Sequence, residues 1–400
     1  MNARIPSPDL TGLKIVIMVG TFIRGGCERQ AFLLARELIH RHGLNAEVWA
    51  LKYPGEYSEE FEAAGIPTKT LHFKHPRYGW VQHSWPVLRE LRKSRVDILL
   101  PFTTWPNVVA GLTYRLAGIR LCIWGERHAG GERIPGVERA AVTQYRRFVA
   151  NSTAGVEFLA NVMRVKREYL SFVPNGVELP KFVPGTDWRA KLGLKPGQLL
   201  IVKVANVTNF KDHATLLRAW KIVQDEWQDR DRPVLALAGY LTEDAYPECE
   251  RITREAGLQS SVRFLGGITE VPALLNACDM AAFSSRNEGM PNGVLECMAA
   301  GRAVVATDLP GIRDALGPDA SEVLVAPGDA SHFARRLLDM LRNSEKRIAI
   351  GEASAVRIRT EFSVKRMAER HLAVMSSELL EQQRTRFFAR PARFQRQSGI

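Results

Sequence analysis

Between Ser285 and Thr307 the chain reads SRNEGMPNGVLECMAAGRAVVAT, with Glu288 and Glu296 eight positions apart around Pro291 and Gly293. Carboxylates accept hydrogen bonds from hydroxyls, so one on a ribose and one on a hexose would let a single loop grip a nucleotide-sugar. The flanking elements must place them. Met280 to Ser284 is an apolar run suited to a buried parallel strand. Pro291 is tolerated in the first turn of a helix, so Asn292 to Ala300 reads as a helix that Gly301 stops. A helix start at the carboxyl end of a strand aims N–H groups and a positive dipole end at its neighbour, which favours phosphate. Glu296 lies one turn inside that helix, and Ala303 to Thr307 returns as a β-branched strand.

Other residues suit the same chemistry. Lys211 and Asp212 stand directly before a helix in VANVTNFKDHATLLRAW, and Lys211 is placed to neutralise phosphate without a metal. Gly25 and Gly26, in TFIRGGCER, precede a helix expected over Glu28 to His42, where paired glycines let backbone approach a ligand. This is not the GxGxxG fingerprint, and the chain has no GxxxxGK[ST] loop. His128 in WGERHAGG either binds a hexose hydroxyl, shuttles a proton, or is simply structural, and the neighbouring Arg127 competes for the same slot. Asp229-Arg230-Asp231 resembles a metal-holding DxD but sits in WQDRDRP between a helix and a strand, a solvated turn. His72 and His75 lack a convergent second pair. Cys27, Cys122, Cys249, Cys278 and Cys297 form no CxxC, which suits buried thiols in a reducing cytoplasm. No metal is expected.

The 400 residues, 46% hydrophobic, suffice for about two domains. Expected strands are Lys14 to Val19, Ala46 to Leu51, Thr68 to Leu71, Asp97 to Leu100, Leu121 to Trp124, Phe148 to Asn151 and Tyr169 to Val173. A second series follows at Leu199 to Val204, Val234 to Ala238, Val262 to Leu265, Met280 to Ser284, Ala303 to Thr307 and Val323 to Ala326. Helical patterns between them give an α/β chain of two doubly wound, Rossmann-like domains, with a cleft between their carboxyl-end edges. Pro174 to Pro196 reads as the linker. The expected division is 1–180, 181–375, and a helix end with a basic tail over 376–400.

Lys plus Arg against Asp plus Glu counts 25 to 16 over residues 1–185, 25 to 25 over 186–375 and 5 to 2 over 376–400, within a net charge of +12. A basic first half and tail suit an anionic partner such as lipid headgroups or a pyrophosphate-linked acceptor. The tail RTRFFARPARFQRQSGI fits a membrane interface or a disordered terminus equally. Nucleic acid is not expected, for want of an RNP pattern, zinc-finger spacing or compact basic helix. The start, MNARIPSPDLTGLK, lacks an apolar signal core and no run reaches membrane-span length, so a cytoplasmic protein, peripheral on the inner membrane face, is expected.

The Ser285 to Thr307 segment resembles the E-x7-E motif of retaining GT-B glycosyltransferases, the glycogen-synthase and mannosyltransferase-like family. That resemblance implies sugar transfer from a nucleoside diphosphate to a glycan or lipid-linked hydroxyl with retention, without cofactor, in surface polysaccharide or glycolipid synthesis. It gives Glu288, Lys211 and His128 catalytic roles. Donor contacts fall to Glu296, Asn206, Gly25, Gly26, Met290, Asn292 and Gly293, with base recognition near Gly267 and Ile268. Where the family usually carries an arginine, this chain has Asn206, with Arg24 and Arg286 as possible substitutes. VPNGV at Val173 to Val177 matches the family's interdomain signature, with Asn175 and Gly176 read as turn chemistry. The last helices are implied to cross back onto the first domain. The rival readings are a sugar-nucleotide epimerase, a phosphorylase, or a non-catalytic carbohydrate-binding relative. The phosphorylase is disfavoured because its relatives are much longer and need a cofactor lysine.

Overall fold

The computed structural model describes residues 10–74, 80–128, 136–180 and 186–388. The chain divides into two compact units, Met1–Gly125 with Arg133–Val149 and Ala368–Ile400, and Glu126–Glu132 with Ala150–Met367.

The first unit is built on β1 (Lys14–Val19), β2 (Asn45–Ala50), β3 (Thr68–Thr70), β4 (Ile98–Pro101) and β5 (Leu121–Cys122). All neighbours run parallel in the order β3-β2-β1-β4-β5. Ile15 to Val19 are fully buried, as expected of a central strand covered on both faces. The order reverses between β1 and β4, so the loops after these two strands meet at the switch point. The helix predicted over Glu28 to His42 runs over Gly26–His40, directly after Gly25. From Ala368 onward, the helix Val364–Phe388 belongs to this unit, so the last helix alone makes the crossing implied for the last helices. Arg147 donates from Nε to Glu378 at 2.8 Å and from Nη2 to Glu381 at 2.8 Å. The remaining tail lies outside the described residues.

Three short strands, β6 (Trp124–Glu126), β7 (Phe148–Ala150) and β8 (Leu170–Phe172), precede the second sheet. That sheet holds β9 (Leu200–Val204), β10 (Val234–Ala238), β11 (Val262–Gly266), β12 (Met280–Phe283), β13 (Ala303–Thr307) and β14 (Leu324–Val325). Its order is β11-β10-β9-β12-β13-β14, again all parallel. Period-two alternation sends Ile201, Leu235, Leu237, Met280, Ala282 and Val305 into one core. Leu200, Val202, Ala236, Ala281, Phe283 and Val304 go into the other. Both faces are therefore apolar and covered, and the functional polar groups are left to the strand ends.

Packing divides the chain at other places than the expected boundary at residue 180. Residues 150–180 group with the second unit because their polar groups bond there. Val177 N–H donates to the Phe362 carbonyl at 2.8 Å, and Thr153 N–H to Asp314 at 2.7 Å.

Candidate functional site

The second sheet reverses its order between β9 and β12, and open α/β sheets bind ligands outside the strand ends at such a point. β9 runs into the loop Ala205 to Asp212, and β12 into Ser284 to Pro291. Lys211 comes from the first loop and Glu288 from the second. Lys211 Nζ lies 2.6 Å from Glu288 Oε1 and 2.8 Å from Oε2, and Ser285 Oγ donates to Oε1 at 2.9 Å. Glu288 is 8% exposed and Lys211 29%, so this is a largely desolvated pair. Such a pair is costly to break because one buried charge is left alone. An ammonium has three N–H groups, and two serve Glu288.

Asp212 makes the turn possible. Its φ of 45° and ψ of 47° are left-handed, a conformation that Asp tolerates better than bulkier residues. Its carboxylate accepts from Thr215 Oγ1 at 2.8 Å and Arg286 Nη2 at 3.3 Å. Arg286 therefore stands on the same cluster as Lys211. Arg24 lies in the first unit, paired with Glu60 and set over the Tyr57 ring.

The helix Asn292–Ala299 starts where the sequence placed it, after Pro291, which has no side-chain cap to offer. A Cβ on Gly293 would stand 2.3 Å from the Val204 carbonyl oxygen and 2.9 Å from the Phe283 ring. Only glycine lets the helix start sit this close to the end of β9. Asn292 and Glu296 are half-buried on this helix, and Met290 is buried just before it.

Asn206 is exposed and accepts from Tyr240 N–H at 3.0 Å. It ties the β9 loop to the β10 loop rather than adding charge. Gly267 and Ile268 follow β11, and Gly267 packs beside the Tyr240 ring. The segment expected to read a base thus adjoins the loop holding Asn206.

His128 follows β6, its backbone N–H donating to Glu126 Oε1 at 3.1 Å. It groups with the second unit rather than the first, to which the sequence assigned it. Asp231 pairs with Lys195 at 2.5 Å on an exposed turn, consistent with the solvated reading of the DRD triplet. His72 is described but His75 is not. Four of the five cysteines are buried and Cys27 is partly so, and none is in a disulfide. Among the described residues no group of three or more His, Cys, Asp or Glu could hold a metal ion, and no helix is long and apolar enough to cross a membrane.

Sequence reading missed two hubs. Asn175, read as turn chemistry, is buried. Its Oδ1 accepts from Asn151 Nδ2 at 3.2 Å and Arg127 Nη1 at 3.3 Å. Its Nδ2 donates to the Met290 carbonyl at 3.0 Å and Asn292 Oδ1 at 2.8 Å, so it braces the helix start. Lys203, one charge in the apolar run LIVKV, is fully buried beneath Lys211. A lone lysine inside a strand that otherwise reads as core was the available signal.

In the first unit, Gly25 and Gly26 open their helix after β1, as expected. Burial pushes the Glu28 carboxyl up to about 7, opposed by hydrogen bonds from the backbone of Glu28 and Thr21. Across the switch point Thr103 holds φ 72° and ψ 166° before the helix Thr104–Ala117. That region is almost confined to glycine, so a β-branched residue there is strained.

Residues 185–357 match the model of the glycosyl transferases group 1, and residues 24–181 that of glycosyltransferase family 4. Among curated proteins, a D-inositol 3-phosphate glycosyltransferase of Corynebacterium urealyticum is 28% identical over 58% of this chain and 58% of its own length. A 2-deoxystreptamine N-acetyl-D-glucosaminyltransferase of Streptomyces fradiae is 23% identical over 80% of this chain and 84% of its own. The chain thus spans under two thirds of the first of these relatives. Anabaena Alr3699/HepE, solved in complex with UDP and glucose, shares the fold at a TM-score of 0.79 and 20% identity, over 91% of this chain and 100% of that one. With both domain models matched and this GT-B architecture, the chain belongs to the glycosyltransferases of group 1 and family 4.

Proposed function

We propose that this protein moves a sugar from a nucleoside diphosphate to a hydroxyl of a glycan or lipid-linked acceptor, with retention at the anomeric carbon and without a metal. The observation that carries the reading is the Lys211–Glu288 pair at the switch point, beside the start of the helix Asn292–Ala299. Negative charge grows on the diphosphate as the glycosidic bond breaks. The remaining N–H of Lys211 and the helix start stabilise it, an effect of the oxyanion-hole kind. Glu288 orients the donor sugar and is itself held by Ser285 and Lys211, while Glu296 holds the ribose. Gly267 and Ile268 receive the base, and Asn206 and Asn292 keep their loops in place. His128 contacts a hexose hydroxyl. Retention follows if the leaving phosphate takes the acceptor proton on the same face, which needs no separate general base. The basic first half and tail suit a peripheral position on an anionic membrane face.

A thermal-stability screen against UDP-, GDP- and ADP-sugars tests the reading first, since a bound ligand stabilises by mass action. At least one class is expected to raise the melting temperature, and the same donor should then be turned over to an acceptor with its anomeric configuration kept in the product NMR spectrum and with EDTA present. Absence of any shift, together with full transfer by Lys211→Ala and Glu296→Ala variants, would remove the site assignment. Vesicle binding that is the same for anionic and neutral lipid would remove the membrane role.

A further inference from the structure

Lys203 is the fourth residue of β9 and shares the face of Ile201, two positions earlier, so its side chain enters the covered side of the sheet. It has no solvent exposure. Its ammonium nevertheless has three acceptors: Ser284 O at 2.7 Å, Ser284 Oγ at 2.9 Å, and the carbonyl of Lys211. Ser284 Oγ in turn donates to the Asp212 carbonyl at 2.7 Å. A buried charge survives only when its N–H groups are satisfied, and here the acceptors are the two loops that carry Lys211 and Glu288. We propose that Lys203 is a positioning residue of the donor site, holding the Lys211 turn and the Ser284 to Glu288 loop in register from beneath. Its ammonium adds a second fixed positive charge toward a bound diphosphate. This rests on the nucleotide-sugar reading above, and it accounts for a chain with Asn206 in place of an arginine.

The surroundings make the charge responsive. Burial, and then the Lys211 ammonium, bring Lys203 down to about 7, while Glu288, Asp212 and Cys249 pull it up. His213, at the head of the next helix, is buried and its pKa is held well below the usual value, first by burial and then by Lys203 and Lys211. A diphosphate arriving near Lys211 adds negative charge to this set and favours the protonated lysine. Donor binding is thereby coupled to proton uptake.

The test compares the full chain with its Lys203→Met and Lys203→Gln variants, titrating UDP, GDP and ADP by calorimetry from pH 6.5 to 9. The nucleotide's own titration is common to all three proteins and cancels in the ratio of affinities. We expect the parent to bind about tenfold tighter than Lys203→Met at pH 6.5, with the advantage shrinking toward pH 9, and Lys203→Gln to lie between them. A ratio near one at every pH in a folded variant would overturn the inference. So would a ratio above one that does not change with pH, since a purely structural brace would behave that way. If neither variant folds, the parent alone decides. At pH 8, in two buffers of different ionisation heat, it should take up part of a proton on binding UDP, GDP or ADP, and no uptake would refute the coupling. Failure of the parent to bind all three nucleotides would instead sink the donor-site reading, and this inference with it.

Discussion

The two units repeat one design, a parallel sheet whose order reverses beside its first strand, yet the residues at the two reversals differ in kind. In the second unit the loops after β9 and β12 carry charge: Lys211 on Glu288, Arg286 on Asp212, and Lys203 beneath. In the first unit the corresponding loops and helix start carry a glycine pair, a half-buried Glu28 and a strained Thr103. The same backbone device therefore carries two kinds of residue. Fixed cations suit a diphosphate, whereas close backbone approach and a protonatable carboxyl suit neutral hydroxyls or shaped contacts.

The largest test of that contrast is Lys211→Ala. It leaves Glu288 buried with Ser285 alone and should lower turnover by about 100-fold or more, the loss typical of one charge-stabilising donor. Stability should fall by about 2 kcal/mol, less than for a fully buried pair because Lys211 is partly exposed. Steady-state kinetics and denaturant unfolding read the two effects, and unchanged turnover would erase the distinction between the reversals.

Next are the paired glycines of the two loops. Gly293→Ala sets a Cβ 2.3 Å from a backbone oxygen and should cost about 3 kcal/mol. In Gly25→Ala the Cβ would meet only the movable end of Glu28, at 2.5 Å, with φ at −149°, so the expected loss is about 0.5 kcal/mol. Equal losses would mean that the two helix starts are packed alike.

The pH dependence of stability separates the units by sign. Glu28 rises from 4.5 to about 7 on folding, so the folded chain keeps a proton that the unfolded chain releases between those values. Its contribution is present below 4.5 and lost as the pH rises through about 7; a Glu28→Gln variant should lack this fall. Lys203 is lowered from 10.5 to about 7, so there the unfolded chain holds the extra proton. Its penalty is full below about 7 and relieved as the pH rises toward 10.5, and Lys203→Met should lack this rise. Unfolding free energies measured from pH 4 to 10 would show both limbs, and identical pH curves for parent and variants would disprove both shifts.

The one stabilising change is at Thr103. Glycine adopts φ 72° and ψ 166° without strain, so Thr103→Gly should stabilise by about 1 kcal/mol after its own entropic cost. A loss of stability would mean that the Thr103 side chain is held by contacts worth more than the strain.

Much of this was legible from residue order alone. The strands β1, β10 and β13 fall where expected, and β9 and β12 differ by one residue at an end, because continuous apolar β-branched runs bounded by polar loops admit few other readings. The expected strand Leu121 to Trp124 is instead β5 and β6, broken at Ile123, since a short apolar run does not reveal where its pairing partner changes. Glu288 and Lys211 were each singled out, but their direct pairing joins positions 77 apart, and that depends on which strands are neighbours. Asn175 and Lys203 were misread or passed over for the same reason. An asparagine in VPNGV is a turn residue by local chemistry, and its four side-chain hydrogen bonds exist only because distant loops converge on it.

The sequence by itself determined the two doubly wound sheets, the helix start after Pro291, the absence of the GxGxxG and P-loop fingerprints, and the candidate charges. All of these rest on local periodicity and on the steric rules of proline and glycine. Only the tertiary structure decided that Lys211 meets Glu288 across a switch point, that Lys203 is sealed beneath them, and that residues 150–180 pack with the second unit. Strand order and burial are properties of the whole chain. They turn a lysine in an apolar run from a pattern error into a fixed charge.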